Sequence, residues 1–159
     1  AAEAGAYRTG AEYLEASFSA LGVSIDPAEW LRIRGAAMTP WADSIAAARR
    51  AAELGRVTLL TNNGAFIGES LPQLAPELVP IFGTEHLRAS AYYGARKPDP
   101  VVYERMLAAY GATPADTFFA DDRIENVESA AALGITAHHF QGAPGLLDAI
   151  ESFALARAA

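Results

Sequence analysis

The stretch Thr117 to Gly134, TFFADDRIENVESAAALG, limits the possible folds more than any other part of the chain. It opens on a short apolar run, Phe118-Phe119-Ala120, of the kind that forms a strand buried on both faces. The run stops on two adjacent acids, Asp121 and Asp122. Apolar residues then recur at Ile124, Val127, Ala130 and Ala131, a helical stripe that Gly134 terminates. In an open α/β sheet this order puts both acids at the carboxyl end of a strand, where such folds bind ligands. Adjacent carboxylates repel unless a cation or buried donors offset their charge, and a hard divalent ion, Mg²⁺ first, would do so. A solvated acidic loop that caps the next helix is the other reading, and the stretch alone leaves both open.

The same alternation extends in both directions. Strands are expected at Arg56–Thr61 (RVTLLT), His86–Tyr92, Thr117–Ala120 and Ile135–Phe140. Helices fall at the proline-interrupted Phe66–Phe82 and at Pro98–Tyr110, Ile124–Leu133 and Pro144–Ala156. Strands separated by helices of this length mean parallel βαβ units with right-handed crossovers, hence a doubly wound α/β sheet. Residues 1–38 carry no strand signal. Tyr13, Leu14, Phe18 and Leu21 form a helical stripe ended by Gly22, and Asp26-Pro27-Ala28-Glu29 starts a second helix bearing Trp30, Leu31 and Ile33. A further helix begins within Thr39–Asp43 and continues through Ile45, Ala48 and Ala52. The expected division is a small helical segment, 1–38, and an α/β core, 39–159.

Composition removes several functions. At 159 residues, 52% hydrophobic and 19% charged, the chain can build a proper core. Its net charge of −7 argues against nucleic acid or an anionic membrane as partner. The absence of cysteine excludes disulfides and thiolate metal sites, which fits a cytoplasmic protein. No apolar stretch is long enough to span a bilayer.

Two more strand ends carry chemistry. Thr61-Asn62-Asn63-Gly64 supplies a hydroxyl, amides and a relaxed backbone, a donor set suited to an oxyanion, though a polar turn would use the same residues. Lys97 lies in GARKPDP, where Pro98 biases it to an extended conformation ahead of a helix and so aims its ammonium; a solvated surface lysine is the alternative. Trp30, Met38 and Trp41 read as cap or hinge core rather than substrate wall. His138 and His139 are adjacent on a strand, so they point to opposite faces and cannot share one ion.

Thr61, Lys97 and Asp121-Asp122, each after a candidate strand and in this order, resemble the haloacid dehalogenase-like hydrolase superfamily, specifically its branch with an early helical cap. Thr61 matches its second motif, Lys97 in G-x-x-K-P-D-P its third, and Asp121-Asp122 with Asn126 in D-D-x-x-x-N its fourth. The resemblance covers roughly Thr39 to the C-terminus and makes residues 1–38 part of the cap. It implies a Mg²⁺-dependent phosphatase of a small phosphorylated metabolite, working through an aspartyl-phosphate. Asp121 and Asp122 would hold the metal, Thr61 and Asn62 the phosphoryl oxygens, and Lys97 would offset charge on phosphate and nucleophile. The first motif, D-x-D after an apolar strand, is absent: Asp26, Asp43, Asp99, Asp116 and Asp148 all lack the second acid and the strand. The resemblance therefore implies an upstream segment with that motif and a further cap helix, and a chain starting at Ala1 is not expected to fold stably alone. A metal-free 2-haloacid dehalogenase is the rival enzyme, disfavoured by the acidic pair. A non-catalytic binding module is the rival from another class.

Overall fold

The computed structural model describes residues 2–22 and 24–158. Ala1 and Val23, within the expected cap segment, and Ala159 lie outside them. The order of elements is α1 (Gly10–Leu21), α2 (Pro27–Ala36), α3 (Ala42–Leu54), β1 (Leu59–Thr61), α4 (Ala65–Leu74), α5 (Val79–Phe82), β2 (Leu87–Ala89), α6 (Pro100–Tyr110), β3 (Phe118–Asp121), α7 (Ile124–Ala132), β4 (Thr136–His139) and α8 (Ala143–Ala158). The chain is a mixed α/β protein with small parallel sheets, and it divides into two compact units, Ala1–Pro40 with Val57–Ala95, and Trp41–Arg56 with Arg96–Ala159.

In the first unit β1 and β2 pair in parallel, with Leu59 opposite Leu87 and Thr61 opposite Ala89. Both strands are shorter than the apolar runs that announce them, because a ladder lasts only while both partners run alongside. Below it Thr58 Oγ1 donates to His86 O at 2.9 Å. Beyond it Ser90–Tyr93 turns into a 3₁₀ helix. α4 packs on β2 through Gly68, where a Cβ would stand 2.8 Å from the Ala89 Cβ and 2.6 Å from the Tyr92 hydroxyl, so only glycine allows this approach. α1 starts against α4. Its first backbone amide, Gly10 N, donates to Glu69 of α4 at 3.2 Å, and Thr9 caps the helix by accepting from Glu12 N at 3.2 Å. α2 seats a half-buried Trp30 edge-on against Phe66, ring centroids 5.3 Å apart.

The second unit is built on β3 and β4, parallel, with Phe118 opposite Thr136 and Asp121 opposite His139. Successive strand residues face opposite ways. Phe118 therefore meets Phe153 of α8 at 5.7 Å, while Phe119 meets Tyr103 of α6 edge-on at 5.3 Å. Helices cover both faces, which is why the strand reads as a continuous apolar run rather than an alternating one. Val102, Tyr103 and Ala130 are fully buried in this core. No helix among the described residues is long and apolar enough to cross a membrane.

Candidate active site

Asp121 is the last residue of β3, its carbonyl still in the ladder and accepting from Phe140 N at 2.8 Å. Its side chain, only 7% exposed, is surrounded by donors. Oδ2 accepts from Lys97 Nζ at 2.6 Å, and Oδ1 accepts from Arg123 N at 2.9 Å and Asn126 Nδ2 at 2.8 Å. Burial pushes this carboxyl up. The Lys97 hydrogen bond, the Arg123 backbone N–H and the Asn126 amide outweigh that and hold it below its ordinary value of 3.8.

Each donor has a structural reason to be there. Asp99 caps α6, accepting from Val101 N at 3.0 Å, and so fixes Lys97 just ahead of the helix. Ser129 of α7 donates to Pro98 O at 2.5 Å and ties the same segment down from the other side. The Lys97 side chain is 8% exposed, and its ammonium lies 5.5 Å from the Phe119 ring centroid. Asn126, 2% exposed, sits in the first turn of α7, and its carbonyl accepts from Tyr103 Oη at 2.8 Å. Burial, then the charge of Asp121, keeps the Tyr103 phenol protonated well above its ordinary range. Tyr103 thus supports Asn126, which supports Asp121.

This network makes stability depend on acid. Because folding depresses the Asp121 pKa, its contribution is fully present above 3.8 and is lost as pH falls through the lower folded value. Urea melts from neutral pH down to about pH 2 should show a decline in the wild type that is shallower in Asp121→Asn. Identical slopes would mean that the carboxylate is not held as described.

Asp122 is exposed, and its carbonyl accepts from His139 Nε2 at 3.0 Å. Arg123 pairs with Glu125 on the surface. In the first unit Thr61 ends β1 just as Asp121 ends β3. Its Oγ1 accepts from Asn63 Nδ2 at 2.7 Å, and a hydroxyl that accepts can also donate. Asn62 lies half-buried in the turn before α4, a helix that begins after Gly64 without a side-chain cap. A helix N-terminus suits an anion. The turn is anchored at Asn63, whose carbonyl accepts from Ala91 N at 3.3 Å.

Lys97 and Asp121 thus meet in one buried pair with Asn126, while Thr61 and Asn62 occupy the matching strand end of the other unit. Asn63 and Tyr103 were not foreseen as supports. Asn63 differs from Asn62 in no way visible beforehand, and Tyr103 reads as one more apolar position of a helix.

Among the described residues no cluster of three or more His, Asp or Glu side chains is placed to hold a metal. A carboxylate offers about four lone-pair positions, and Asp121 uses three. Among the described residues, one position on Asp121 and the exposed Asp122 remain. That is a sparse donor set, yet it fits Mg²⁺, which keeps several waters and commonly takes only one or two carboxylates besides substrate phosphate.

A family model described as haloacid dehalogenase-like hydrolase matches residues 3–134. The sesquiterpene phosphatase astK of Aspergillus oryzae is 45% identical over 51 residues, 32% of this chain and 26% of that protein. The match spans about a quarter of that relative's length. With residues 3–134, most of the chain, matched by the family's model, this chain belongs to the haloacid dehalogenase-like hydrolases.

Proposed function

We propose that this hydrolase is a Mg²⁺-dependent phosphatase of a small phosphorylated metabolite, with residues 1–38 serving as part of its cap. The observation that carries this reading is the buried Lys97–Asp121 pair at a strand's carboxyl end. A lysine there has its charge fixed in advance, so little reorganisation is needed as negative charge builds on a transferring phosphoryl group. Thr61 Oγ1 and the backbone N–H of Asn62 would bind phosphoryl oxygens, as short donors at a strand end can. Asp121 and Asp122 would hold Mg²⁺, which supplies positive charge to a dianionic phosphate approaching carboxylates. Asn126, backed by Tyr103, would keep Asp121 from rotating away. Attack on phosphorus by an aspartate would form the aspartyl-phosphate, which water then hydrolyses. That aspartate is not present here in D-x-D form and would come from beyond these 159 residues.

The name of the Aspergillus oryzae relative favours a phosphomonoester whose alcohol is largely apolar. The acidic pair Asp121-Asp122 disfavours a metal-free dehalogenase. The missing first motif is the one feature that favours a non-catalytic binding module instead.

Phosphate release from a panel of small phosphomonoesters tests the proposal. Turnover should require Mg²⁺ and cease with EDTA. Metal-independent turnover, or halide release from 2-haloacids in its place, would overturn it.

A further inference from the structure

In the second unit, the residue just before α3, Trp41, is 64% exposed, although tryptophan is among the side chains that gain most from burial. It is nonetheless not free to swing. Its ring stacks on Phe140 with centroids 6.3 Å apart and planes 30° apart. Beside it opens a cleft of about 270 Å³, lined by Trp41, Ala42, Asp43, Ser44, Ala143 and Pro144 at the starts of α3 and α8. Within this largely apolar wall the Ser44 Oγ is buried and has no hydrogen-bond partner among the described residues. The indole is linked to the candidate chemistry through the ring it stacks on. Phe140 directly follows β4, and its backbone N–H donates to the carbonyl of Asp121 at 2.8 Å.

Charge decides which part of a substrate fits. Asp43 in the lining disfavours an anion, so the phosphate belongs beside Lys97 and the cleft takes a neutral group. We propose that the cleft beside Trp41 binds the apolar alcohol portion of the phosphomonoester, packing it on the exposed indole. This rests on the phosphatase reading above and adds to it where the apolar alcohol would sit and the residue that selects it. Its size is just below that of ordinary ligand pockets, which begin at about 300 Å³, so it suits a short alkyl or small cyclic group.

The test compares hexyl phosphate with methyl phosphate as substrates of the protein that includes the attacking aspartate and of its Trp41→Ala variant. The hexyl-to-methyl ratio of kcat/KM should fall about tenfold in the variant, mainly through KM for hexyl phosphate. An unchanged ratio overturns the proposal. So does an effect of Trp41→Ala confined to oligomeric state, which would make the cleft a contact between two copies of the chain. Hexan-1-ol, titrated into Trp30→Phe so that only Trp41 fluoresces, separates this proposal from the reading beneath it. A saturable shift in emission supports the cleft even if the wild type hydrolyses neither phosphate, an outcome that would sink only the phosphatase reading. No saturable shift counts against the cleft whatever the turnover.

Discussion

Lys97→Met should lower the stability of the protein by about 3–5 kcal/mol at neutral pH, a large part of the roughly 5–15 kcal/mol that holds a domain together. Methionine keeps much of the lysine stem and its packing near Phe119 but removes the ammonium. Asp121 would then be a carboxylate only 7% exposed, with a backbone N–H and one amide left to stabilise it. Removing one partner of a buried pair strands the other's charge, whereas removing both is much milder. The double variant Lys97→Met/Asp121→Asn should accordingly recover a good part of the loss. The deficit of the single variant should also shrink in acid, where Asp121 takes up a proton and no longer needs a counter-charge. Urea melts of the three proteins measure all of this. A loss below about 1 kcal/mol would place the pair with solvated surface bridges and remove the idea of a charge fixed in advance.

Much of this arrangement is legible in the chain itself. Phe118-Phe119-Ala120 announces a strand because both its faces are buried, Phe118 under α8 and Phe119 under α6. Asp121 stands out because a charged residue at the end of such a run needs an explanation. The short extent of β1 and β2 was not legible, since the ladder depends on where the partner strand departs and not on the residues of one strand. The pairing of Lys97 with Asp121 was hidden for a related reason. The two lie 24 positions apart, and the motifs suggest separate tasks, one toward phosphate and one toward metal. Tyr103 was concealed by type, because a tyrosine on a buried helical stripe looks like core until its hydroxyl is seen on Asn126 O. Trp41 misled in the opposite sense. Its composition argues for burial, yet it is exposed and stacked on Phe140, whereas Trp30 is packed against Phe66 as its type suggests.

Asp121→Asn should reduce turnover about a hundredfold or more while changing side-chain volume hardly at all. The amide can still accept from Arg123 N or Asn126, but it carries no charge for Lys97 and little attraction for a divalent cation. Lys97 would lose the charge of Asp121 opposite it, so part of the loss would come from a weaker hold on its ammonium. The variant is less stable for the same reason, and circular dichroism must first show it folded at the assay temperature. Phosphate release by the protein that includes the attacking aspartate, and by its folded Asp121→Asn variant, followed across a Mg²⁺ titration, tests the central claim most directly. The account predicts Mg²⁺-dependent release by the wild type, with Asp121→Asn showing both the large loss in rate and a half-saturating Mg²⁺ concentration displaced upward. Release by Asp121→Asn at the wild-type rate, with the wild-type dependence on Mg²⁺, would contradict it.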